Sequence, residues 1–136
     1  MSKSFIYTVN SSVQTVAADG IVNPGTVVRR FGPNLARNGN GVEARGTGYY
    51  SMEALVVCAP AAAGPITATL LKDGVPIPGA TATVTAAAAN DVVTIPVLGA
   101  IREMGCGCCA GGASAITCQL SAEADVQNYV FRAEKE

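Results

Sequence analysis

The sequence predicts an all-β, antiparallel domain, and three observations carry that prediction. Apolar positions recur at every second residue, the period of a strand. β-Branched residues fill those stretches. Turn-forming clusters of Gly, Asn, Asp and Pro punctuate the chain every 8–12 residues or about that, with no helical pattern between them; this spacing belongs to a sandwich, a jelly roll or a barrel. Alanine is the best helix former, yet Ala80-Thr81-Ala82-Thr83-Val84-Thr85-Ala86 alternates small and β-branched residues, which suits a strand. A helical turn has room only at residues 86–89, and Asn90-Asp91 ends it.

Taken in order, strands are expected at residues 5–9, 26–31, 41–45, 49–59, 66–72, 80–85, 92–97, 100–104, 116–122 and 126–133. Asn23-Pro24-Gly25 has the residues of a type II turn. Asn38-Gly39-Asn40-Gly41 and Asp73-Gly74 supply the positive φ that hairpin turns require. In the glycine-led tyrosine strand, Tyr50, Met52, Ala54, Val56 and Cys58 share one face, and Tyr49, Ser51, Glu53, Leu55 and Val57 share the other. In the last strand Val126, Asn128, Val130 and Arg132 alternate with Gln127, Tyr129, Phe131 and Ala133. Both faces of both strands carry apolar residues, so both need cover: one in the sandwich core, the other against a neighbouring subunit. Residues 13–21 are loosely patterned, and residues 1–20 read as an N-terminal arm or first strand ahead of a single domain over 21–136.

Composition bounds the partners. The chain has 136 residues, enough for one domain with a real core. Apolar residues make up 49% but aromatics only 5%, so each buried side chain removes little area from water and oligomerisation is expected to bury more. A net charge of −1 lacks the basic footprint of a nucleic-acid binder. Met1-Ser2-Lys3-Ser4-Phe5-Ile6-Tyr7 has no hydrophobic signal-peptide core, and no apolar run reaches spanning length. Synthesis in the cytoplasm without membrane insertion is the expectation.

The residues argue against catalysis. The chain has no histidine, which removes the commonest general base and metal ligand. No glycine loop is placed to cradle phosphate. Glu43, Glu53, Asp73, Asp91 and Glu103 are scattered along the sequence, with nothing to pair two of them for glycoside hydrolysis. A non-enzymatic protein without a cofactor is expected. The sharpest local oddity is Cys106, Cys108 and Cys109 in a glycine-rich loop, followed by Cys118. Four thiols in one hairpin region can hold zinc, but the spacing differs from a Cys-x2-Cys ribbon, and adjacent cysteines on a strand point opposite ways. The structural reading is favoured: small residues in a tight loop, with Cys58 and Cys118 as buried hydrophobes. Cys106 with Cys118 is the disulfide pair to test. Arg29-Arg30-Phe31 reads either as a docking element making bidentate arginine contacts or as a charged edge that blocks strand pairing.

Val28-Arg29-Arg30-Phe31-Gly32, Asn38-Gly39-Asn40-Gly41, Gly48-Tyr49-Tyr50, residues 69–79, the apolar run 92–97 and a closing strand through Val130 occur in an order that resembles the compact jelly rolls of the tumour-necrosis-factor and C1q type. It is especially similar to small structural proteins of phages and prophages of Firmicutes. The resemblance covers residues 20–133. It implies an antiparallel jelly-roll sandwich that trimerises about a threefold axis through one sheet, with Tyr49, Tyr50, Tyr129 and Phe131 lining the interface. It further implies a virion structural protein made in the host cytoplasm: a capsid decoration or head-fibre component, partnered by the major capsid protein or another virion protein. The alternative is a receptor-binding tip module that recognises a host-surface glycan. A secreted or spore-surface trimer of the C1q type is disfavoured by the missing export signal.

Overall fold

The computed structural model describes residues 3–103 and 113–136. Among these there are eleven strands and no helix. They are β1 (Ser4–Asn10), β2 (Gln14–Val16), β3 (Thr26–Phe31), β4 (Leu35–Asn38), β5 (Gly41–Arg45), β6 (Gly48–Pro60), β7 (Gly64–Lys72), β8 (Val75–Ala86), β9 (Val93–Glu103), β10 (Ala113–Leu120) and β11 (Ala124–Lys135). They form two antiparallel sheets. One has the order β3-β1-β11-β6-β9, with β2 also paired to β11; the other has the order β4-β5-β10-β7-β8. The chain crosses between the layers after β3, β5, β6, β8, β9 and β10, as in a jelly roll.

Period two explains the core. Tyr50, Met52, Ala54, Val56 and Cys58 of β6 share one face, as their spacing predicts; that face points between the sheets and meets Ile66, Ala68 and Leu70 of β7 and Ile116, Cys118 and Leu120 of β10 in one hydrophobic cluster. The core is built from many modest side chains, and Tyr50, Tyr129 and Phe131 are the aromatics among its fully buried residues.

Five features of the fold differ from the sequence pattern. β9 is one strand, not two: Gly99 continues it because a side chain there would collide with the Cβ of Ala80, 2.9 Å from where its own Cβ would sit. Glycine lets β9 and β8 pass closely where the two layers meet. β8 starts at Val75, directly after the Asp73–Gly74 turn, whose residues have φ of 50° and 83°. β2 and β4 are too short to show a period, at three and four residues. In β11, a bulge at Gln127 shifts the register between Val126 and Asn128, so Val126 joins Tyr129, Phe131 and Ala133 on the inner face. Strict alternation through Gln127 had placed Val126 on the opposite side. Residues 86–89 form no helical turn; Ala86 closes β8.

Residues 1–20 include β1, which lies between β3 and β11, and β2, which extends the same side of β11 through Ala124 to Val126. The turn ahead of β3 is held by the Asn23 carboxamide, which accepts the Gly25 N–H at 2.8 Å.

Candidate functional site

The outer face of the six-stranded sheet is the outstanding surface. Strand alternation sends Phe5, Tyr7 and Val9 of β1, Leu55 and Val57 of β6 and Val130 of β11 outward, where they are half-buried. On β9 the outward residues are Thr94, Pro96, Leu98, Ala100 and Arg102. Leu98 is 67% exposed, a cost in water of about 1.5–3 kcal/mol if the side chain stays uncovered. Tyr7, Leu55, Pro96, Leu98 and Val130 line a shallow depression of about 360 Å³. Glu53 and Arg132 form its rim, paired across β6 and β11 at 3.0 Å. Below that pair the face becomes polar: the Ser51 hydroxyl donates to Glu136 at 3.1 Å, and Arg102 lies over the Tyr49 ring at 5.6 Å.

The opposite layer presents a different outer face. Thr67 and Thr69 of β7 stand beside Thr83 and Thr81 of β8, with hydroxyls 2.7 Å and 3.1 Å apart. Gln119, Thr117 and Glu43 continue this polar surface across β10 and β5.

The four aromatics expected at an interface divide three to one. Tyr50, Tyr129 and Phe131 are buried between the sheets of a single chain, so their side chains cannot line an axis between chains; that expectation is corrected. Tyr50 is fixed there because its hydroxyl lies within 2.7 Å of the Arg45 carbonyl and 3.0 Å of that of Gly46. Burial, helped by the Glu103 carboxylate, raises its pKa. Tyr129 is pushed well above the ordinary phenol range by burial and by its contact with Cys118. Tyr49, 60% exposed, is on the outer face. The face also contains Tyr7, Pro96 and Leu98, which the sequence reading did not single out; Leu98 fell in the gap between the two strands expected there.

Among the cysteines, Cys58 and Cys118 are free, buried thiols. Burial raises both, Cys118 to about 12, which makes them poor nucleophiles and poor metal ligands at neutral pH. Cys106, Cys108 and Cys109 lie outside the described residues, and so do the zinc-site and Cys106–Cys118 disulfide expectations that depend on them. Among the described residues no three His, Cys, Asp or Glu side chains gather as a metal site, and no helix is long and apolar enough to cross a membrane.

The Arg29, Arg30 and Phe31 element is β3, an edge strand of the six-stranded sheet. Phe31 stacks on Phe5 with ring centroids 5.9 Å apart, and Arg30 donates its Nε–H to the Leu35 carbonyl at 2.6 Å. Arg29 is exposed and has no acidic partner among the described residues.

No protein family model matches the chain, and no curated protein matches it in sequence. Solved structures do match in shape. Eiger TNF from S. frugiperda superposes with a TM-score of 0.67 at 10% identity, covering 98% of this chain and 91% of that one. The globular domain of zebrafish complement 1qA gives 0.62 at 6% identity, with 96% and 94% covered. The PRD1 vertex protein P5 gives 0.58 at 12% identity, with 98% and 96% covered.

Proposed function

We propose that this chain is a non-enzymatic structural module that assembles as a homotrimer and serves as a capsid decoration or head-fibre component of a virion. The fold is a TNF/C1q-like jelly roll. The carrying observation is the apolar outer face of the six-stranded sheet, with Leu55, Pro96, Leu98 and Val130 around one depression. Contiguous apolar surface on a folded domain marks a place to be covered. In jelly rolls of this type the resemblance implies cover by two further copies about a threefold axis. The virion context is supported by the phage-type sequence resemblance and by a vertex protein that shares the fold.

The test is co-sedimentation with purified capsids, with bound copies counted. Binding in multiples of three supports the proposal. A trimer that ignores capsids and binds host cells favours the second reading, a receptor-binding tip module. One feature speaks for that reading: Tyr49 and Arg102 together form an exposed aromatic and cationic platform, a chemistry suited to sugar rings.

A further inference from the structure

The open edges of the two sheets are not equivalent. β8 carries Pro76 and Pro78, and β9 carries Pro96; proline cannot donate to an added strand, and such edges resist pairing. β4 is four residues long. β3 has six residues and no proline, and every residue in it except Val27 is exposed. Its ladder partner is β1 alone, so the outer row of its backbone N–H and C=O groups has no strand against it. Val28 and Phe31 are 53% and 58% exposed along it, apolar anchors on an otherwise polar ribbon.

Charge says what fits. Residues 1–42 hold Lys3, Arg29, Arg30 and Arg37 against Asp19 alone, a net +3, while the rest of the chain is net −4. β1, β3 and β4 contain no acidic residue. The four cations follow the length of β3. Arg37 bonds the Asn23 carboxamide just ahead of it at 3.1 Å. Arg29 and Arg30 lie within it, and the Lys3 backbone abuts Gly32 just beyond it. A second copy of β3 would bring arginines against arginines, which is destabilising. The other edges of this chain offer no acidic strand either: β4 and β8 have no acid, and the only acid of β9 is the buried Glu103.

From this we propose that β3 is a docking edge for an extended, acidic segment of a different protein. The segment adds as a strand to the six-stranded sheet; Arg29 and Arg30 point to opposite faces of β3, so the segment sets one carboxylate on each face and apolar side chains against Val28 and Phe31. Backbone pairing gives affinity, and the arginines select the charge. This goes beyond the trimer reading: strand addition uses the backbone edge of β3, whereas the trimer reading uses the outer face of the sheet around Leu98.

The test uses a fluorescent octapeptide of two Val-Glu-Glu-Val repeats, which sets carboxylates on both faces of the strand, read by anisotropy and by amide shifts. The expected result is binding with shifts at residues 26–31. Arg29→Glu weakens it by at least about tenfold, and N-methylation of alternate peptide bonds abolishes it. The lysine-for-glutamate peptide does not bind. Leu98→Glu, aimed at the apolar face, changes the affinity less than twofold, and the N-methylated peptide leaves the protein's own surface intact, so failure here and failure of the trimer are read separately. Equal binding of the N-methylated peptide overturns strand addition. Tighter binding of single-stranded DNA or of a sulfated oligosaccharide overturns the acidic-peptide assignment, and no binding of the octapeptide overturns the proposal.

Discussion

The two sheets have the same pleat and share one interior, but their outer faces differ in chemistry. The five-stranded sheet turns Thr67, Thr69, Thr81 and Thr83 to solvent as bonded hydroxyl pairs. The six-stranded sheet turns Tyr7, Leu55, Pro96, Leu98 and Val130 outward around a depression. Both faces arise from alternation with period two, so strand formation does not explain the difference. A threonine face is satisfied by water and by its own neighbours; a leucine and valine face is satisfied only by cover. Under the proposed assembly, the six-stranded sheet is the layer that meets other chains.

The largest perturbation separates inside from outside. Phe131→Ala removes a ring buried between the sheets and is expected to cost about 3–5 kcal/mol of folding stability. Denaturant titration reads it, and the loss appears whether or not chains associate. Next comes the assembly face. Leu98→Glu is expected to raise the subunit dissociation constant about 100-fold, from lost apolar burial and a desolvated charge. Thr83→Glu on the opposite face is expected to leave it unchanged. Analytical ultracentrifugation distinguishes the two, and equal effects would erase the distinction between the faces.

Alkali probes the interior more gently. The folded-state pKa of Cys118 is raised to about 12, above its ordinary value of 9.0, and Tyr129 is raised as well. The folded state therefore holds protons that the unfolded state releases. Stability is level below pH 9 and falls as pH rises toward 12, by on the order of 2–3 kcal/mol at pH 11 from Cys118 alone. Melting curves between pH 7 and 11 check the sign. The smallest effect is a gain. The Thr8 hydroxyl is buried on β1 with no hydrogen-bond partner among the described residues. Thr8→Val replaces it with a methyl group and is expected to stabilise by about 1 kcal/mol, visible as a higher Tm.

Much of this was legible in the residues. The alternation of β6 put Tyr50, Met52, Ala54, Val56 and Cys58 on one face and Leu55 and Val57 on the other, and Asp73-Gly74 marked the turn between β7 and β8. The illegible parts have physical reasons. A bulge at Gln127 inverts the facing of Val126, and a single added residue leaves no mark in composition. Gly99 looked like a strand break, but its role is set by Ala80 on another strand. Tyr50, Tyr129 and Phe131 were assigned outward by likeness to trimers; their burial depends on how two sheets face each other, which a one-dimensional pattern does not encode. Arg29, Arg30 and Phe31 stood out in sequence as a docking element or a charged edge, and the sheet order places them on an edge.

The most direct test of the central claim, that the apolar face of the six-stranded sheet is an assembly surface, is native mass spectrometry of the purified protein beside Leu98→Glu. The account predicts three chains for the natural sequence and one for the variant. A natural-sequence protein that stays a single chain at micromolar concentration, or a Leu98→Glu variant that remains a trimer, would contradict it.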